Sequence, residues 1–162
     1  MPVTTDKHAL MELLSAVKDP EIPVLDVVEM GIVRDASHES DGVHVIITPT
    51  YSGCPAMEVI RDEIVAELGR HGLEPVHVKM VFAPPWTTEW MSEAAKQKMR
   101  DFGIAPPNKA CANPSEDPNA HAPCPYCGSL ETELRSSFSS TACKAFHFCN
   151  ACIQPFEYFK CI

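Results

Sequence analysis

Apolar positions along this chain recur with two periods, near 3.6 residues and at 2, and stretches of the two kinds alternate. Leu10, Leu13, Leu14 and Val17 share one helical face, which predicts a helix over residues 5–17 capped by Thr4 or Thr5. Asp19-Pro20 closes it, because a residue before proline avoids the α region. Residues 30–37 read as a strand, Asp41-Gly42 as a hairpin turn, and residues 43–48 as a second strand with Val43, Val45 and Ile47 on one face. Met57, Ile60, Ile64 and Leu68 mark the buried stripe of a helix over residues 55–70, ended by Gly69 or Gly72. Val76, Val78, Met80 and Phe82 then alternate with His77, Lys79 and Val81, a third strand with one core face. Pro84-Pro85 breaks it. Thr87 or Thr88 caps a further helix to residue 102, with Met91, Ala94, Ala95, Met99 and Phe102 inward. The hairpin makes the first strand pair antiparallel and the strand–helix–strand unit makes the next pair parallel, so the predicted sheet is mixed.

The pattern fades over residues 105–123, which hold five prolines and almost no large apolar side chain. They read as a linker between a domain at 1–104 and a module at 124–162. Cys111 and His121 lie in it. A net charge of −9 and a pI near 5.2 argue against nucleic acid as a partner and against an anionic membrane surface. No apolar run approaches the roughly 20 residues that span a bilayer. The first residues lack the basic start and apolar core of a secretion signal, so a cytoplasmic protein is expected. In a reducing compartment, eight cysteines point to metal ligands or reactive thiols before disulfides.

Seven of the eight cysteines crowd the last third. Cys124-Pro-Tyr-Cys127 and Cys149-Asn-Ala-Cys152 form a CxxC…CxxC pair with 21 residues between. Two residues between cysteines let both sulfurs reach one ion, and two such knuckles supply four thiolates to a tetrahedral structural zinc. An iron–sulfur cluster or a redox dithiol also fits the motif. The segment is too short to bury a self-sufficient core, so a bound metal is expected to supply folding energy. Residues 131–138 and 156–159 read as its strands. Cys143 and Cys161 are left over, as candidate additional ligands.

Cys54 stands apart. Ser52-Gly53 supplies a turn after the second strand and Pro55 suits a first helical position, which places Cys54 at the helix N-cap. A thiol there faces unpaired N–H groups and the positive end of the helix dipole, which favours the thiolate. Position alone leaves two readings, a reactive or metal-handling thiolate and a small buried apolar cysteine. Asp19, Glu21 and Asp26 either cap their own loop or face the Cys54 turn. Trp86 and Trp90 either flank that end of the sheet or cover the core edge. The chain carries no GxGxxG dinucleotide loop and no Glu-x-x-His di-iron pair.

Asp19-Pro-Glu-Ile-Pro-Val-Leu-Asp26, Met30-Gly-Ile-Val33, Thr48-Pro-Thr-Tyr-Ser-Gly-Cys-Pro55 and Trp86-Thr-Thr88 resemble the SufT-like domain family implicated in iron–sulfur protein maturation. Ser140-Thr-Ala-Cys-Lys-Ala145 and Cys152-Ile-Gln-Pro-Phe-Glu-Tyr-Phe-Lys-Cys-Ile162 are similar to one branch, the PaaD family, named for the D component of the phenylacetyl-CoA epoxidase of aerobic phenylacetate degradation. The resemblance implies an α+β architecture, a small αββαβα domain with a mixed sheet plus a C-terminal zinc-ribbon-like β module. It implies an accessory role toward the epoxidase, a phenylacetyl-CoA monooxygenase, assisting insertion of iron or an iron–sulfur cluster. The alternative is a structural or regulatory role in that complex. The implied partners are the other epoxidase subunits, above all the iron–sulfur reductase, with no nucleic acid and no membrane. The family's thiol maps onto Cys54, whose candidate neighbours are Asp19, Glu21, Thr48 and Trp86. Zinc in the module would be structural, and a cluster at Cys54 transient.

Overall fold

The computed structural model of the protein describes residues 6–108, 117 and 121–162. Cys111 and the expected caps Thr4 and Thr5 lie outside them. Two compact units divide the chain. The first is Met1–Trp86 with Trp90–Ser92, and the second is Thr87–Glu89 with Glu93–Ile162.

In the first unit, helix α1 (Lys7–Leu14) begins at Asp6, whose carboxylate accepts from the Ala9 N–H at 2.8 Å. Strands β1 (Val33–Glu39) and β2 (Gly42–Ile47) form the expected hairpin, helix α2 (Ala56–Arg70) follows, and β3 (Val76–Met80) returns. The sheet order is β1-β2-β3, antiparallel then parallel, with Val43 opposite Val76 and Ile47 opposite Met80. β2 is central, and its alternate residues Val43, Val45 and Ile47 are fully buried. The α2 stripe of Met57, Ile60, Ile64 and Leu68 is buried, as are Leu10 and Leu14 of α1. Each such side chain contributes about 1.5–3 kcal/mol of burial. Phe82, expected in this core, is 60% exposed. β3 ends at Met80 opposite the last residue of β2, so Phe82 has neither a ladder partner nor a sheet face to cover.

The second unit contains helix α3 (Glu93–Asp101) and strands β4 (Ile104–Ala105), β5 (Thr132–Ser136), β6 (Lys144–Cys149) and β7 (Gln154–Phe159). Its sheet order is β4-β7-β6-β5, with β4 parallel to β7 and the other pairs antiparallel. Ala105 and Ala122 join Cys124, Ala145, Cys149, Phe156 and Tyr158 in one apolar cluster. The boundary expected at residue 104 therefore falls inside this sheet, and part of the expected linker is its edge and core. Helix α3, expected in the first domain, packs on β4 instead, burying Ala95 and Met99 and leaving Phe102 exposed. An amphipathic stripe shows that a face is buried, without naming what covers it. Glu157 binds the buried Lys144 ammonium at 2.8 Å and accepts from the Ser139 and Ser140 hydroxyls, tying β7 to β6 and to the turn before it. Among the described residues, no helix is long and apolar enough to cross a membrane.

Candidate functional site

The first candidate site is the turn that joins β2 to α2. Thr48 leaves β2 with its N–H on the Ile32 carbonyl, and Gly53 takes φ +82, a left-handed conformation that suits glycine. The Cys54 N–H bonds the Tyr51 carbonyl at 3.3 Å. Pro55, with φ −69, is itself the cap of α2 and the helix starts at Ala56. Cys54 thus precedes the cap instead of occupying it. Its thiol still takes the Ala56 N–H, yet it does not favour the thiolate. Half-burial pushes it up, the Ala56 N–H and the Tyr51 side chain oppose this, and the Glu21 and Asp19 carboxylates add to the rise. The expectation of a lowered thiol pKa is corrected here: the helix end is outweighed by desolvation and two acids.

Asp19 and Asp26 are both buried, and both cap their loop. Asp19 Oδ1 accepts from the Glu21 and Ile22 N–H groups at 2.7 and 2.9 Å. Asp26 Oδ1 accepts from the Val28 and Glu29 N–H groups, and the Glu29 carboxylate accepts in return from the Asp26 N–H. Asp19 combines both roles, since the carboxylate that ties its loop also acts on Cys54. Trp86 is buried and donates its indole N–H to the Met30 carbonyl at 2.9 Å, while Trp90 lies 3.3 Å beneath the Arg34 guanidinium. Both are core-edge side chains. Thr48 is 1% exposed and its hydroxyl has no hydrogen-bond partner. That orphan polar atom sits where β2 runs into the Cys54 turn. Thr48 is one of the neighbours that the resemblance implies for Cys54, but nothing in local sequence marks its hydroxyl as unsatisfied.

The resulting chemistry is a half-buried thiol whose ionisation is opposed first by burial and then by the charges of Glu21 and Asp19. Such a thiol is a poor nucleophile at neutral pH. It suits a soft cation, which displaces the proton and is drawn in by the acids.

The second candidate site is in the second unit. Cys124, Cys127, Cys149 and Cys152 bring their sulfurs within 4.8 Å of one another. The Cys124–Cys152 and Cys127–Cys149 pairs lie at 3.6 Å, close to the roughly 3.8 Å edge of a tetrahedron with metal–sulfur bonds near 2.3 Å. The first knuckle closes through the Gly128 N–H to the Cys124 carbonyl, with Gly128 at φ +75. The Cys152 and Ala151 N–H groups hold the Cys149 thiol down to about 7, while burial pushes Cys152 up to about 12. These residues fit a zinc ion, which would complete the deprotonation. Cys143 is a buried thiol beside the Thr141 hydroxyl, outside the quartet. Cys161 is disulfide-bonded, against the expectation of reduced thiols.

Residues 7–81 match the family described as iron-sulfur cluster assembly protein, and residues 108–160 match the PaaD zinc beta ribbon domain. Over 160 residues the chain is 43% identical to the protein provisionally named as the D component of the 1,2-phenylacetyl-CoA epoxidase of Escherichia coli (strain K12), covering 96% of this chain and 93% of that one. It is 38% identical to the Fe-S protein maturation auxiliary factor YitW of Bacillus subtilis (strain 168), over 56% of this chain and 89% of that one. Among solved structures, the Domain of Unknown Function DUF59 from Bacillus anthracis aligns with TM-score 0.54 at 30% identity, over 57% of this chain and 90% of that one. A conserved hypothetical protein from Thermotoga maritima aligns with TM-score 0.52 at 32% identity, over 61% and 98%.

Proposed function

We propose, from the premise that this chain belongs to the PaaD family of phenylacetyl-CoA epoxidase components, that it is a maturation factor which handles iron or an iron–sulfur cluster as cargo at Cys54. An accessory role follows from its likeness both to that epoxidase component and to iron–sulfur maturation factors. The observation that supports the finer reading is the half-buried Cys54 thiol in the β2–α2 turn, its pKa raised first by burial and further by the charges of Glu21 and Asp19. A thiol so placed waits for a cation instead of attacking a substrate. Cargo would exchange its charge for the thiol proton, with the acids favouring entry and Thr48 offering a further oxygen. The four-cysteine module takes a structural zinc, and the clients are the metal-bearing epoxidase subunits, the iron–sulfur reductase foremost. Anaerobic addition of Fe²⁺ and sulfide tests this: the wild-type protein gains a thiolate-to-iron visible band that Cys54→Ser lacks. A band of equal strength in both would assign cluster binding to other cysteines.

A second reading, a structural component that docks through its module, draws on the exposure of Leu130, Phe138 and Ile153. It leaves Cys54 as packing and predicts no such band.

A further inference from the structure

At the end of β2 remote from the Cys54 turn, three side chains from three places in the chain converge. His44 on β2 and His77 on β3 are direct partners in the parallel ladder, so backbone pairing holds both on one face of the sheet. Their rings stack with centroids 4.8 Å apart. Asp41, in the hairpin turn, completes the set. Its Oδ1 lies 2.8 Å from His44 Nε2, and its backbone oxygen lies 3.1 Å from His77 Nε2. A ligand atom from each of the three lies within 4.8 Å of the others.

We propose that Asp41, His44 and His77 form a binding site for a divalent first-row transition-metal ion, separate from the cysteine quartet and from Cys54. Two imidazoles and one carboxylate are the ligand set of ions that keep coordination positions open. Ligands bound tetrahedrally at about 2.0–2.1 Å stand roughly 3.3 Å apart, so the spacings already present need only small side-chain rotations. The acceptors facing the two Nε2 atoms are oxygens, so each Nε2 carries its ring proton. On binding, each ring moves its single proton to Nδ1 and presents the Nε2 lone pair to the ion, so the change is one of tautomer with no net proton released. The site opens on a groove of about 610 Å³ that also presents Asp35, Glu39, Arg61 and Lys79. Glu39 adds negative charge near His44, and the groove leaves room for water or another exogenous ligand on the ion.

The test uses the full-length Cys54→Ser chain, so that Cys54 cannot take the metal, with its cysteine quartet filled by one equivalent of zinc and then titrated anaerobically with Co²⁺ alone. Zinc outcompetes cobalt at such a site, so added cobalt reports on other ligands. A second metal equivalent with a visible d–d spectrum and no thiolate charge-transfer band is expected. His77→Ala and Asp41→Asn should each weaken it by more than about tenfold, since losing even an outer partner of a ligand commonly costs that much. Far-UV circular dichroism verifies that the variants fold. No second equivalent, a second equivalent with a thiolate band, or one that persists in the His44→Ala/His77→Ala protein would overturn the proposal.

Discussion

The Sγ atoms of Cys124 and Cys152 lie 3.6 Å apart although 28 positions separate them in the chain. Cys124 also belongs to the apolar cluster that contains Ala105 and Ala122, so the metal site and the core of the second unit are one structure. Cys149→Ser is expected to release the metal and to unfold α3 together with β4–β7. Apparent binding on the order of 10 kcal/mol disappears with it. Helices α1 and α2 and strands β1–β3 should persist. Residue-level hydrogen exchange checks this, and continued protection of α3 in the metal-free variant would contradict it.

Cys54 should react with iodoacetamide more slowly at pH 7 than an unperturbed thiol, because its folded-state pKa is raised. Its rate should climb as pH rises through that value. Glu21→Gln removes one of the charges responsible and should speed alkylation at a given pH. A thiol that reacts faster than a model compound would restore the helix-dipole picture and remove the support for a waiting, protonated ligand.

Glu157 makes an acid-sensitive joint in the second unit. Burial pushes its carboxyl up, but Lys144 and the Ser139 and Ser140 hydroxyls outweigh this and hold it down at about 2, from 4.5. A depressed carboxylate contributes stability above its unfolded pKa and loses it as pH falls through the folded value. Stability of this unit should therefore decline between about pH 4.5 and pH 2. Glu157→Gln strands the buried Lys144 charge, which should destabilise the unit by about 3 kcal/mol at neutral pH, and it should flatten that acid limb. Denaturant melts across the pH range measure both effects.

The Thr48 hydroxyl is buried without a partner. Replacing it with a methyl group removes a desolvation cost, so Thr48→Val should stabilise the fold by about 1 kcal/mol. If that oxygen serves cargo, the same variant should bind iron less well while melting higher. A lower Tm would show that the hydroxyl is satisfied in solution.

Helix α2 is legible in the sequence because its 3.6 period is strong and its four stripe residues are all buried. The quartet is legible because the knuckle spacing is itself the geometry. Strand β6 is masked in the sequence although Ala145, His147 and Cys149 alternate, since the knuckle at Cys149 dominates that stretch. The sheet that α3 covers and the pairing of His44 with His77 depend on tertiary placement, which periodicity does not encode. Cys54 shows the limit most clearly. Its local motif points to a helix terminus and a low pKa, while burial and the more distant Glu21 and Asp19 reverse the sign.

Delivery at Cys54 is most directly tested by the iron content of the epoxidase and reductase subunits purified from cells that carry either wild-type protein or Cys54→Ser. Under-loaded iron is expected in at least one of these partners in the Cys54→Ser strain, with the abundance and fold of this protein unchanged. Equal iron loading in the two strains would contradict it.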